Sequence, residues 1–426
     1  MNLTVLMPHI PTQRFECRSC TNCCRELVVH LTPLDREKID RQNWASKIAG
    51  PAYVPLGREH VLNHAPGGGC VFLREDGLCR IHAEFGGSEK PLACQLYPFT
   101  LDAEEAGVRV GVRFDCPTVA RSEGTSLNAH RQEVTRLARE LIEQVPEHFR
   151  QSAPMFATGR PMSGQIADVL TRFLDRWLAD ASRPLFARLM GISSFADTLS
   201  MAQLGALPDA QLIELVEMIA ADLPNAVAES GRLPPPTQRQ KRLLRQSVFA
   251  HCEHISLKQA RAGVLESMRY RIGQLLRARK LASATGILPP LQTAATDPAT
   301  IPAESIEQIS PSSDRASDEM ITRYLRARVA AHSYYGPSYY LWPALDGLAA
   351  LLLATATIGW LARYFAASAR RATLEIDDLL RAIGVVDRAA GRARELGAKS
   401  AKLRLSYLRG DAGLLRLIGA YPIMAH

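Results

Sequence analysis

The sequence predicts a mainly α-helical protein whose first part is a small, irregular, cysteine-rich module. Three observations carry this. Eight of the nine cysteines lie between Cys17 and Cys116. The stretch they occupy has only short apolar runs, broken by turn formers such as HAPGGGC and FGGSEKP. From about residue 126 the texture changes to long Ala/Leu/Arg-rich segments whose apolar residues recur with the helical period.

The module, residues 1–125, is dominated by FECRSCTNCC at 15–24, a C-x2-C-x2-C-C run formed by Cys17, Cys20, Cys23 and Cys24. Two-residue spacers let successive thiolates curl toward one centre, and three in a row resemble a ferredoxin run more than a zinc ribbon, whose pairs are separated by longer loops. Cys70, Cys79, Cys94 and Cys116 follow, the last preceding Pro117 as a ferredoxin ligand often does. A tetrathiolate site uses four sulfurs, so eight suffice for two metals or for one cluster with spare thiols. Adjacent Cys23 and Cys24 point in different directions on almost any backbone, which suggests two centres, or one ligand beside a packed thiol. Any single cysteine here could be a small buried hydrophobe; a group of eight is poorly explained that way. His82, three residues past Cys79, is read as a hydrogen-bonding or packing residue rather than a ligand.

Residues 126–285 form the first part of the helical region. In SGQIADVLTRFLDRWLAD, Ser163 is a plausible N-cap while Ile166, Leu170, Phe173 and Trp177 share a face; DAQLIELVEMIAADL repeats the pattern. PNAVAESGRLPPPTQRQ, near 224–240, interrupts it. HCEH at 251–254 lacks a third metal donor and reads as an ordinary polar helix start. SLKQARAGVLESMRYRIGQLLRARK places Val264, Met268, Ile272 and Leu275 at helical spacing, which predicts an amphipathic helix with its Arg/Lys face in solvent. Residues 286–316, rich in Pro, Ser and Thr, read as a flexible linker or loop.

Residues 317–426 complete the helical region. The aromatic stretch AAHSYYGPSYYLWP reads as packing between helices, with a cation cage as the rarer use. The apolar run at 347–362 is shorter than the roughly 20 residues a membrane span needs, and Asp346 and Arg363 flank it, so it reads as a buried core helix.

A chain of 426 residues, 47% of them hydrophobic and 22% charged, can build its core without disulfides. Its start, MNLTVLMPHIPTQRF, lacks the features of a secretory signal, so a cytoplasmic setting is expected, where thiols stay reduced and clustered cysteines serve metals or catalysis. The net charge of +8 is scattered and accompanies no nucleic-acid-binding motif; neither nucleic acid nor membrane is an expected partner. No HExxH or GxSxG signature appears, and the glycine-rich HAPGGGC and GRARELGAKS read as a turn and a helix end.

In combination and order, CRSCTNCC, then CVFL with GLCRIH, then KPLACQLYPF, resemble the bacterial CxxCxxCC family, a zinc- or iron-chelating domain that includes flagellin lysine-N-methylase-like proteins. The resemblance spans roughly residues 15–120. It implies metal binding by Cys17, Cys20, Cys23, Cys24, Cys70, Cys79 and Cys94, with Cys116 a looser match, and an iron–sulfur cluster (4Fe–4S foremost) or zinc as cofactor. It also implies an alternative activity, protein-lysine N-methylation with flagellin or a similar protein as partner and S-adenosylmethionine as donor, although no catalytic residue in the helical part matches. A non-catalytic metal-handling or assembly factor is the third reading, which the basic helices and the linker suit.

Overall fold

The structure, a computed structural model, describes residues 3–8, 10, 12–105, 107–149, 153–229, 231–253, 255–291 and 301–425. About 58% of the described residues are helical, so the mainly α expectation holds. The chain divides into two compact units, one comprising residues 1–7, 11–151 and 254–275, the other residues 8–10, 152–253 and 276–426.

The first unit contains more sheet than its irregular texture suggests. Val5–Leu6 runs parallel to Gly107–Val112, which pairs antiparallel with Phe99–Glu104. A second three-stranded sheet joins His30–Leu31, Glu59–Leu62 and Tyr53–Leu56, and Arg14–Phe15 pairs with Thr125–Ser126. Strands of two to six residues are too short to show alternation in the sequence. Leu31, Ile39, Trp44, Leu62, Val71, Phe72 and Ile81 form a core against which Cys70, Cys79 and Cys94 pack half-buried. The helix Pro33–Arg41 stands on a reciprocal cap, in which Thr32 Oγ1 accepts from the Asp35 amide and the Asp35 carboxylate accepts from the Thr32 amide.

The second unit is built on the helix Ala344–Ser368, which packs against Leu185–Met201, Gln238–Cys252, Ile376–Ala389 and Gly413–Ala420. This helix is long and apolar enough to cross a membrane, yet 94% of its apolar window is buried within the protein, as the core reading of 347–362 expects. Two of its glycines mark close backbone approaches: a Cβ on Gly347 would lie 2.0 Å from the Tyr334 carbonyl oxygen, and one on Gly359 2.1 Å from that of Tyr421. The aromatic stretch is packed, with Tyr334, Tyr335, Tyr339 and Trp342 buried. Ser163 caps Gly164–Ala179 by accepting from the Ile166 amide.

Three expectations are corrected. The interruption near 224–240 begins late, because the helix Asp209–Ala228 continues through Pro224; burial of neighbouring Leu223 outweighs the local proline penalty. In the expected linker, residues 292–300 lie outside the described residues, but the flanks are built in: Leu288, Leu291, Ile301, Ile306 and Ile309 are buried and Ala303–Gln308 is helical. Five of its described apolar side chains are spent on the core, while Ile287 is exposed; composition alone hides this. Finally, the helix Val264–Ser283 keeps Val264, Met268, Ile272 and Leu275 in solvent together with its Arg/Lys residues. Periodicity shows that a stripe exists, not which way it faces.

Candidate metal centre

The cysteines are delivered by short, tightly turned segments of the first unit. After Phe15, left-handed backbone at Ser19 and Thr21 (φ 53° and 65°) folds the loop that carries Cys17 and Cys20, both exposed. Thr21 leads into the short helix Asn22–Glu26, which holds Cys23 and Cys24. Asn22 Nδ2 donates to the Asp115 carbonyl at 3.0 Å and so ties this helix to the turn bearing Cys116. The Cys70 amide donates to the Cys24 carbonyl at 2.7 Å, which brings Cys70 alongside. Gly69, at φ 82°, permits that approach, with the Cys24 carbonyl 3.5 Å from where a Cβ would stand.

The other thiols sit at helix starts. Cys79 immediately precedes Arg80–Phe85 and Cys116 immediately precedes Pro117–Arg121. Cys94 lies in Leu92–Leu96, a turn anchored where the Leu92 amide donates to buried Asp35 Oδ1 at 2.9 Å. At Cys116 the Sγ is 3.1 Å from Thr118 Oγ1.

Seven of the eight predicted residues, Cys17, Cys20, Cys23, Cys24, Cys79, Cys94 and Cys116, line one cavity of about 470 Å³. Cys70 stands just outside its lining. His82, Lys90, Tyr97, His130 and Glu133 also line it. Of these, only His82 is singled out by sequence; Lys90, Tyr97, His130 and Glu133 carry no spacing signal and are brought in by folding. His130 is held by its own contacts, Nε2 lying 3.0 Å from the Phe15 carbonyl and 3.2 Å from Thr125 Oγ1. Tyr97 donates to Asp115 Oδ1 at 3.1 Å.

Electrostatics sort the thiols. Burial pushes the Cys70 thiol up to about 12, and negative charge on Cys79 and Cys23 adds to it. Burial likewise raises Cys94 well above the ordinary thiol value, with Cys70, Cys79 and Cys23 contributing and Lys90 opposing. Cys23 is raised first by its hydrogen bond with Cys24 and then by burial. Cys116 is raised by burial, and the cysteine charge it feels is that of Cys20. Cys23 with adjacent Cys24, Cys70, Cys79 and Cys94 thus act on one another, Cys116 feels Cys20, and Tyr97 feels both Cys116 and Cys23. Among the described residues no three His, Cys, Asp or Glu side chains stand in geometry to hold a single metal ion. The thiols surround a space rather than meet at a point.

Beyond the first unit, His251 is buried in the last turn of the helix Gln238–Cys252, not at a helix start, and its Nδ1 bonds the Ser247 carbonyl at 2.8 Å; His254 lies outside the described residues. Cys252 is buried in the second unit.

Residues 16–120, which contain all eight clustered cysteines, match the model of the CxxCxxCC family, described as a "putative zinc- or iron-chelating domain". No curated protein and no solved structure matches the chain.

Proposed function

We propose that the first unit is a metal-binding module whose thiols hold an iron–sulfur cluster, with Cys23, Cys70, Cys79 and Cys94 as the ligand set. The observation that carries this reading is the gathering of these thiols: Cys23, Cys79 and Cys94 line one cavity, and the backbone bond from Cys70 to Cys24 brings Cys70 beside it. A zinc ion with Zn–S bonds of about 2.3 Å draws its four sulfurs to within about 4 Å of one another. A cluster places iron and sulfide atoms between its ligands and so takes thiols that stand farther apart. Three of the four proposed ligands share one apolar core, which keeps water from one side of the site. The raised pKa values of Cys23, Cys70 and Cys94 mean that binding releases protons, a cost offset by metal–thiolate bonds. When bound, such a cluster supplies one-electron chemistry. Cys17, Cys20, Cys24 and Cys116, which line the same cavity, are the donors left for a second centre or for exchange.

Protein produced and purified without oxygen should be brown, with broad visible absorbance and matched iron and sulfide. C70S/C94S should lose most of both. Colourless wild-type protein carrying only zinc refutes the cluster.

The cavity supports a second reading. At about 470 Å³ it exceeds the needs of a metal centre and falls within the size of organic-ligand sites. A flagellin-type lysine N-methyltransferase would seat its donor there. Mass gain on candidate flagellins incubated with S-adenosylmethionine and reconstituted protein tests it, and unchanged masses count against it.

A further inference from the structure

The helix Val264–Ser283 carries a feature the metal site does not use. Val264, Leu265, Met268, Ile272, Leu275 and Leu276 are each between 55% and 79% exposed. At 100° per residue these six fall within an arc of about 120° on one face of the helix. The covered side is opposite, where Leu281 is fully buried, Tyr270 and Gln274 are half-buried, and Arg277 pairs with Glu253. The helix therefore presents a continuous apolar stripe outward.

Cations border that stripe. Arg269 and Lys280 flank one edge, Arg271 flanks the other, and Arg279 extends it at the C-terminal end; none of the four has an ion pair or side-chain hydrogen bond among the described residues. Glu266, the helix's single acid, lies well off the stripe. At the C-terminal end, Arg279 and Lys280 join Arg242, Arg245 and Gln238 around an open cleft of about 540 Å³. Arg245 is buried there, with Nε and Nη2 both donating to the Ala282 carbonyl at 3.1 and 2.9 Å.

We propose that this helix docks on the surface of an anionic phospholipid bilayer, its apolar stripe entering the acyl boundary and its bordering cations meeting headgroup phosphates. Charge selects this occupant. A basic amphipathic helix with an outward apolar face is the arrangement that partitions into an anionic interface, where cations on both edges reach phosphates while the stripe is buried. A second copy of the chain docked stripe to stripe would bring these unpaired cations toward each other. The cleft offers a place for a headgroup phosphate. The inference is independent of the metal centre.

The test is flotation of the full chain with phosphatidylglycerol/phosphatidylcholine vesicles and with pure phosphatidylcholine vesicles. Wild type should float with the anionic vesicles, roughly tenfold less with the neutral ones, and less at high salt. I272E/L276E, at exposed positions, should keep the wild-type melting temperature and lose flotation. R269A/K280A leaves the stripe intact and should weaken flotation about tenfold, so the charge requirement is read even where the first variant folds poorly. The proposal is overturned if wild type does not float, if either variant floats as wild type does, or if wild type is instead a dimer that I272E/L276E dissociates.

Discussion

The two units are held together by different means. In the second, 22 of the 25 residues of Ala344–Ser368 are buried, and the helix is surrounded by others whose apolar faces complete one core. In the first, burial is shared between a seven-residue cluster edged by half-buried thiols and a second set of side chains that includes Val110, Phe114, Val119 and Leu137. Hydrophobic burial at about 25 cal/mol per Å² suffices for the former. The latter encloses sulfur donors beside a cavity, an arrangement that water and protons satisfy poorly and a metal satisfies well. The difference is one of architecture: the second unit is organised round one long buried helix, whereas the first sets cysteines round a cavity.

The largest expected effect breaks the comparison outright if it fails. Removing metal with a strong chelator should lower the melting transition of the first unit by at least ~10 °C, corresponding to a loss of a few kcal/mol or more, and leave that of the second unit unchanged. Calorimetry on loaded and stripped full-length protein reads both transitions. If they move together, or if neither moves, coordination is not what holds the first unit.

A smaller effect sharpens the account of the second unit, which is not held by burial alone. Arg188 is 1% exposed. Its Nη2 donates to Asp318 Oδ1 and Oδ2 at 2.6 and 2.8 Å, its Nη1 to the Leu178 carbonyl and Thr322 Oγ1, and its Nε to the Arg183 carbonyl. Asp318→Ala strands this cation and should cost about 3–5 kcal/mol, whereas R188M/D318A should cost less than the single change. Urea melts of both variants check the order. Equal losses would mean that the pair, and not the unpaired charge, sets the penalty.

The same division governs what the sequence makes legible. Gly164–Ala179 and Ala344–Ser368 are readable because periodicity, an N-cap serine and a long apolar run are local signals. The gathering of cysteines into one unit is readable from spacing, and so is the metal chemistry. The neighbourhood of Cys23, Cys70, Cys79 and Cys94 is not, since it depends on the Cys70–Cys24 backbone bond and on Asp35 anchoring Leu92, contacts between distant positions. The small sheets escape notice because their strands are too short for a pattern. The stripe of Val264–Ser283 is visible as a stripe, but its direction is set by what Leu281 and Tyr270 pack against. Pro224 misleads because a local breaker is overruled by burial.

The smallest effect concerns pH and again separates the units. Burial lowers the pKa of His251 to about 4, with the nearby Arg404 charge acting the same way and the Ser247 carbonyl opposing. The folded second unit thus keeps this imidazole neutral, while the unfolded chain takes up a proton near the ordinary value of about 6.5. Between these values the unfolded state binds more protons, so stability falls as pH drops through the window and is fully present above it. At pH 5 the loss attributable to His251 is about 2 kcal/mol relative to pH 7. His251→Gln, which cannot take a proton, should be less stable than wild type at pH 7 and should close most of that gap at pH 5. Denaturant melts of wild type and variant at the two pH values decide it. A pH dependence unchanged by the substitution would place the acid sensitivity of the second unit elsewhere, whereas its disappearance would show a burial-held core titrating through one imidazole.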